Sequence, residues 1–514
     1  MMDELLLGID VGTSGLKAVV ADATGAVKEA ATAPCEVAHP LPGWTEQDPD
    51  DWWRACVRAV RSLGKQRAFR SGTLAGIGLT GQMHGSVFLD RADRVIRPAI
   101  LWNDQRTAAE CQEIEQKLRP PRLVTLTGNR ALTGFTAPKV LWLRNKEPGH
   151  FRRLRRLLLP KDYLRLRLTG EHASDVSDAS GTLLFDVCRR RWSEAMLKAL
   201  DLSPEWLPPA LESPQVSGRL SREAASALGL PAGTPVVAGA GDQAGGAVGS
   251  GAVEPGILTS SIGTSGVIFA ATPEPLVDQE ARLHSFCHAS PGLWHVMGVM
   301  LSAGGSLRWL AELMKAAAPR GREVEQWLDG LAERAPLGAG GLLFLPYLTG
   351  ERTPHADPFA RGAFIGLTSG QGLPEMARAV MEGVAFGLRD SLELVRGLGI
   401  IPEEARAIGG GARSRLWRQI QADVLGLPMV SLAADEGPAF GAALLAGVGA
   451  GLFKSVPQAC QSAVRTEERL EPRPQATRVY DELYRRYRNL YPLLRDTFHT
   501  LHDLSASESP AEAL

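Results

Sequence analysis

An excess of charge of either sign is missing from this 514-residue sequence: 56 Lys and Arg stand against 57 Asp and Glu, a formal net charge of −1. A protein that coats nucleic acid needs a basic excess to displace counterions, so that class is excluded. The arginine clusters Arg152-Arg153-Leu154-Arg155-Arg156 and Arg189-Arg190-Arg191 carry no interleaved aromatic platform and read as solvated helix faces. No two of the six cysteines (Cys35, Cys56, Cys111, Cys188, Cys287, Cys460) form a C-x-x-C pair. Neither a disulfide framework nor a zinc knuckle is signalled, and a reducing cytoplasm is the expected compartment. The start, MMDELLLGID, lacks the basic segment and long apolar core of a signal peptide. The longest apolar, glycine-rich run, Phe440 to Phe453, falls short of the roughly 20 residues that cross a bilayer, so no membrane partner is expected.

Glycine, by contrast, is abundant. There are 55 glycines, where a typical usage of about 7% would give about 36. They concentrate around residues 8–15, 239–251, 263–266, 409–411 and 437–441, which favours close backbone approach to a ligand over generic loops. Hydrophobic residues make up 44% and charged residues 22%, ordinary for a chain with large buried cores. At about 150 residues per domain, the length suggests about three domains.

Leu5 to Asp10 is an apolar run that meets the small turn Gly12-Thr13-Ser14-Gly15, and a second run, Leu16 to Ala21, follows: two strands and a tight turn. Asp48-Pro49 opens a helix, with Asp as N-cap and Pro in the first turn, and Trp52, Cys56, Val60 and Leu63 share one face. Strands and helices alternate to the end, an α/β pattern. The turn recurs as Gly263-Thr264-Ser265-Gly266, again between apolar runs, which predicts two related halves with a boundary near Ser250 to Gly256. Beyond Pro457, Tyr484, Tyr487, Leu490 and Leu494 suggest a helix packing back on the body, and the last ten residues, SASESPAEAL, read as frayed.

The turns are neither a Walker A loop nor a Rossmann fingerprint, because Gly15 is followed by Leu16-Lys17-Ala18-Val19-Val20, which continues as strand. Such a hairpin tip is either a plain β-turn or a nest of N–H groups and hydroxyls for phosphate oxygens. Asp10 at its rim is either a turn-stabilising residue or a carboxylate for hydrated Mg²⁺. Asp242 ends the apolar strand Pro235 to Gly241 and is either a helix cap or a catalytic group. Gly409-Gly410-Gly411 lies between a strand and an amphipathic helix (Leu416, Ile420, Val424), as a floppy loop or as a seat for a flat ligand.

Taken together, these segments resemble the FGGY carbohydrate kinases, within the actin–hexokinase–Hsp70 ATPase fold. The phosphate turns match Asp10 to Gly15 and Ser261 to Gly266; the catalytic aspartate motif matches Gly241-Asp242-Gln243. The adenosine motif matches Gly409 to Ser414. The family signatures appear at Gly134-Phe135-Thr136-Ala137-Pro138-Lys139 through Trp142-Leu143, and from Gly362 to Glu382. Gly81-Gln82-Met83-His84-Gly85, with Pro98 to Asp104 downstream, is similar to the xylulokinase subfamily; Leu345 to Leu348 and Gly350 to His355 also fit. One departure is Gln243, where many members have Asn, although Gln can reach the same hydroxyl.

The resemblance implies an α/β architecture of two ribonuclease H-like (actin-like ATPase) lobes with an interlobe cleft that should close on substrates. The N-terminal lobe would span residues 1–250 and the C-terminal lobe 251–450, with a helical extension and tail over 451–514. It implies transfer of the γ-phosphate of ATP, with Mg²⁺, to the 5-hydroxyl of D-xylulose in pentose catabolism. Asp242 would be the base, and Asp10 with Asp242 would hold the metal. Sugar contacts would come from Met83, His84, Trp102, Asn103, Asp104, Asp242 and Gln243. ATP contacts would come from Gly12, Thr13, Ser14, Lys17, Gly263, Thr264, Ser265, Gly409, Gly410, Gly411, Ala412 and Ser414. A kinase for another ketose, polyol or sugar acid is the main alternative; a chaperone-type ATPase or a filament former would leave Gln82-Met83-His84 unexplained. No heptad seam is visible, and a homodimer is the default expectation.

Overall fold

The computed structural model describes residues 4–64, 73–319, 321, 323–433 and 436–507. The chain forms two compact units, neither continuous in sequence. The first comprises Met1–Glu254, Ala271–His295 and Ala434–Arg465; the second comprises Pro255–Ala270, Val296–Ala433 and Thr466–Leu514.

The first unit is built on a sheet whose central strands are apolar almost throughout, as strands covered on both faces must be. Strands β1 (Glu4–Val11), β2 (Gly15–Asp22) and β3 (Val27–Pro34) form an antiparallel meander. On its other side β1 pairs in parallel with β4 (Thr73–Gly81). The sheet continues through β6 (Pro235–Val237) to β5 (Val216–Arg219), and β7 (Ala240–Gly241) also pairs in parallel with β4. β3 alternates half-buried and exposed residues, as an edge strand does.

Side chains alternate across β1. Leu5, Leu7, Ile9 and Val11 join a core with Trp52, Cys56, Val60 and Leu63 of the helix Pro49–Leu63, and Leu6 joins the core on the opposite face. The helix begins as its sequence predicts: the Asp48 carboxylate accepts from the Asp50 N–H at 3.0 Å, and Pro49 occupies the first turn. Each aliphatic side chain buried this way contributes roughly 1.5–3 kcal/mol of transfer free energy.

The opposite face explains the interleaving. Helix Gly437–Gly449 is made almost entirely of small and apolar residues and lies against β1, β4 and helix Asp242–Ser250. A Cβ on Gly8 would sit 1.8 Å from the Ala439 carbonyl oxygen, and one on Gly78 1.8 Å from that of Ala442. Backbone therefore packs directly on backbone. The units thus differ from a sequential division at residues 250 and 450: residues 271–295 and 434–465 belong with the first unit, and only part of the terminal segment joins the second.

The second unit repeats the opening of the first. β8 (Ile257–Ile262) and β9 (Gly266–Thr272) form an antiparallel hairpin around the second glycine turn. β8 then pairs in parallel with β10 (Glu404–Ile408), which pairs with β11 (Met429–Leu432); β12 (Thr466–Leu470) closes that side antiparallel. This is the expected α/β architecture of two related halves. Helix Pro474–Ser507 packs into this unit through Tyr480, Tyr484 and Tyr487, which are buried, while Leu490 and Leu494 are half-buried. Tyr480 and Tyr484 donate at 2.7 Å to Glu382 and Asp390 of helix Leu373–Gly397. Residues 508–514 of the expected frayed tail lie outside the described residues.

Candidate active site

Strand register brings the first group of candidates together. Asp10 on β1 lies opposite Thr80 on β4, and Gly81 lies opposite both Val11 and Gly241. Asp10, the Gln82-Met83-His84 segment that follows β4, and Asp242 that follows β7 therefore emerge at one edge, at the carboxyl ends of parallel strands. Parallel α/β sheets bind ligands there.

The two aspartates are half-buried and electrostatically coupled. Burial pushes Asp10 up to about 6, against the hydrogen bond from Thr80 Oγ1 (3.0 Å) and the nearby Lys17 charge. Burial, then the negative charge of Asp10, raises Asp242 to about 7, although the Gln243 N–H donates to its carboxylate at 2.7 Å.

Met83 and His84 back onto this edge. A Cβ on Gly241 would come 2.8 Å from Met83 Cγ, and one on Gly181 2.6 Å from His84 Nδ1. Met83 is buried; the His84 ring donates through Nδ1 to the Gly181 carbonyl at 2.6 Å, since a carbonyl can only accept. Trp102 Nε1 donates to Thr13 Oγ1 at 2.9 Å, and that hydroxyl donates to Gln82 Oε1 at 3.1 Å. Gln47 Nε2 donates to the Thr13 carbonyl at 2.7 Å, so the first glycine turn is tied to the segments bearing Trp102 and Met83. Asn103 Oδ1 is buried and has no hydrogen-bond partner among the described residues.

The second unit holds a cavity of about 860 Å³. Its floor is the second glycine turn (Gly263, Thr264) with Gly410 and Gly411, and its wall includes Ser414, Gln326 and Asp329. Because Ser261 lies opposite Ile408, the turn after β8 and the glycines after β10 leave the sheet at the same end. Gly409 has φ +81°, and a Cβ there would meet the Ile262 carbonyl oxygen at 2.8 Å. Ser414 caps helix Arg415–Leu425, accepting from the Trp417 N–H at 3.0 Å and donating to Asp329. Ser265, Gly409 and Ala412 support this floor without lining the cavity.

The sequence matches the N-terminal domain model of the FGGY family of carbohydrate kinases over residues 5–249 and the C-terminal one over residues 258–450. The chain belongs to that family. It is 46% identical to the xylulose kinase of Escherichia coli K12 over 95% of this chain and 100% of that one. Among solved structures, a xyloylose kinase from Brucella ovis is 41% identical with a TM-score of 0.89, covering 96% of this chain and all of that one. A gluconate kinase from Lactobacillus acidophilus is 26% identical with a TM-score of 0.90, covering 97% and 100%.

Within this FGGY kinase, two candidates depart from their expected surroundings. Lys17 pairs with Glu436 at 2.6 Å, so its ammonium is neutralised by its own unit. Asp104 is fully buried: its oxygens accept from the Thr45 N–H (2.6 Å) and from the Arg106 guanidinium and N–H at 2.7–3.0 Å. It anchors the loop that carries Trp102 and Asn103 and has no lone-pair direction left over for a sugar. Thr80 and Gln47 were not singled out from sequence. Thr80 had a local signal, a hydroxyl at the end of an apolar strand; Gln47 had none.

Among the described residues no two cysteines form a disulfide and no helix is long and apolar enough to cross a membrane. The arginine clusters are partly consumed by ion pairs, Arg189 with Asp186 and Arg190 with Glu212.

Proposed function

We propose that this kinase transfers the γ-phosphoryl group of ATP to the 5-hydroxyl of D-xylulose, giving D-xylulose 5-phosphate, in the cytoplasm and as a step of pentose catabolism. The observation that carries the reading is the Met83-His84 pair seated beside Gly241-Asp242. The 46% identity to a xylulose kinase supports the choice of acceptor.

In this reading the sugar lies against Met83 and His84 with Asn103 Oδ1 accepting from one hydroxyl, and Gln243 follows Asp242 at the helix start. Asp242 accepts the proton of the attacking hydroxyl, a contribution of about 10²–10⁴-fold. Most of the remaining acceleration comes from positioning and charge neutralisation, as is general for phosphoryl transfer. The nucleotide occupies the 860 Å³ cavity, with phosphate oxygens toward the N–H groups of the Gly263–Thr264 turn.

The donor set suits Mg²⁺. Burial raises both carboxylates, Asp10 and Asp242, and the charge of Asp10 raises Asp242 further; Mg²⁺ takes one or two carboxylates together with phosphate oxygens and water. Among the described residues no cluster of three or more His, Cys, Asp or Glu forms an all-protein cage, which also suits an ion that arrives with the nucleotide. When bound, Mg²⁺ would neutralise charge on the transferring phosphoryl group.

A second acceptor class, a sugar acid, is favoured by the likeness to the gluconate kinase. A coupled ADP-release assay over xylulose, ribulose, gluconate, glycerol and a deoxy-ketose tests both. Xylulose should give the highest kcat/KM, and Asp242→Asn should lower kcat on it by about 10³-fold with ATP affinity kept. High activity on ribulose or gluconate with none on xylulose overturns the acceptor; wild-type turnover in Asp242→Asn overturns the base.

A further inference from the structure

The segment Gly134 to Lys139 takes no part in the chemistry above, yet it holds both pieces of the sugar site. His84 has φ +70°, the left-handed region that a residue with a bulky ring seldom enters. Its carbonyl accepts two side-chain hydrogen bonds, from Thr136 Oγ1 at 3.0 Å and from Lys139 Nζ at 2.9 Å. Lys139 Nζ donates also to the Gly134 carbonyl at 2.6 Å. Both Thr136 and Lys139 are fully buried. Phe135, the residue before Thr136, packs edge-on against the His84 ring with centroids 4.8 Å apart. The same segment backs Trp102, because a Cβ on Gly134 would lie 2.5 Å from the Trp102 carbonyl oxygen.

Lys139 is an expensive way to fill this space. Its hydrogen bonds go to two carbonyls and to no carboxylate, and burial lowers its pKa to about 7, against the attraction of Asp104. A methionine of similar length would avoid the desolvation cost but could not hold a carbonyl. The His84 peptide, in turn, needs holding, since its backbone conformation is unfavourable without a tether.

We propose that Lys139 and Thr136 are positioning residues for the acceptor sugar: they clamp the His84 carbonyl and so fix the left-handed Met83-His84 step against which the sugar is held. The inference rests on the reading of Met83 and His84 as sugar contacts. It predicts an effect on the sugar and not on the nucleotide, because the clamp holds the Met83-His84 step and none of its groups lines the cavity read as the nucleotide site.

Steady-state kinetics of the full-length enzyme test it, with KM for xylulose and for ATP measured separately. Lys139→Met should raise KM for xylulose about 10- to 100-fold, the worth of the two carbonyl hydrogen bonds it removes, with KM for ATP within about twofold. Thr136→Ala should raise it about 3- to 10-fold, and Thr136→Ser, which keeps the hydroxyl, should restore it to within about twofold. In a His84→Ala background, Lys139→Met should add clearly less than it does alone. An unchanged sugar KM in folded Lys139→Met and Thr136→Ala, equal rises in both KM values, or full additivity with His84→Ala would overturn the clamp. If Lys139→Met does not fold, the Thr136→Ala and Thr136→Ser pair decides by the same criterion. A wild-type enzyme that ignores xylulose but phosphorylates another acceptor refutes the acceptor alone, and the clamp is then read on that acceptor's KM.

Discussion

The two Gly-Thr-Ser-Gly turns share a frame and differ in what surrounds them. Each joins an antiparallel hairpin whose first strand also pairs in parallel with a later one: β1 with β2 and β4, β8 with β9 and β10. Two residues before the first turn's glycine stands Asp10; in the equivalent place before the second stands Ser261. The first turn is tied down by side chains, Thr13 being held by Gln82, Trp102 and Gln47. The second is tied down by backbone: the carbonyls of Gly263 and Thr264 accept from the N–H groups of Ala303, Gly304 and Gly305 at 2.9–3.0 Å. Side-chain tethers bring reactive residues to a turn, whereas backbone tethers leave its Gly263 and Thr264 exposed to the cavity. In the proposed function the first half carries the acceptor and the catalytic carboxylates, and the second offers the cavity for the nucleotide.

The sharpest way to break this comparison is to substitute each of the two equivalent positions. Asp10→Asn should lower kcat by about 10²–10³-fold, the usual loss when one preorganised charge-stabilising group is removed from a transition state. Ser261→Ala should change kcat by less than about threefold, because no charge is lost and Ser261 lies in the half assigned to holding the nucleotide. Stopped-flow or steady-state turnover at saturating xylulose and ATP measures both. Comparable losses at the two positions would mean that the halves share the chemistry and that the division between them is wrong.

Much of that division is legible in the sequence, for a local reason. The turn, its flanking apolar runs, Asp10 and the Gly241-Asp242 step are each written within a few consecutive residues, and the strands they predict are the strands that form. The Asp48-Pro49 helix start is equally local. What the sequence hides depends on distant partners. Nothing near Lys17 announces Glu436, more than 400 residues away, and nothing near Asp104 announces that Arg106 and the Thr45 N–H will use up its oxygens. The seating of helix Gly437–Gly449 on Gly8 and Gly78 is hidden for the same reason: small residues permit a close approach without saying what approaches. Lys139 is visible as part of a motif, but its role depends on a carbonyl 55 positions earlier.

A smaller effect should separate the halves through the nucleotide. A Cβ on Gly411 would lie 2.5 Å from Ile262 Cγ2, so a side chain there pushes the strand end that carries the second turn. Gly411→Ala should raise KM for ATP about 5- to 20-fold, corresponding to roughly 1–2 kcal/mol of local displacement. KM for xylulose should stay within about twofold. Isothermal titration with ADP checks the binding directly, and a matched rise in the sugar KM would show that the two halves do not act independently.

The smallest expected effect concerns pH and distinguishes the halves by the use each makes of buried acids. In the second unit burial pushes Glu351 from 4.5 to about 8 and Asp390 from 3.8 to about 7, opposed by N–H groups of Arg352 and Leu301 on the first and by Tyr484 on the second. Neither is among the residues lining the cavity, so their cost falls on stability and not on catalysis. Between about pH 4 and 8 the folded protein holds protons on these groups that the unfolded chain has released. Stability from this source is therefore complete below the unfolded values and is lost as pH rises through the folded ones. Asp390→Asn removes one of the two titrations while keeping an acceptor for the Tyr484 hydroxyl. It should flatten the decline of Tm between pH 5 and 8 by a few degrees, on a scale of about 2–4 °C per kcal/mol. Differential scanning fluorimetry across that range suffices. A variant with the wild-type slope would mean that Asp390 is already ionised in the fold, its charge compensated by the neighbouring Arg389 and Arg488.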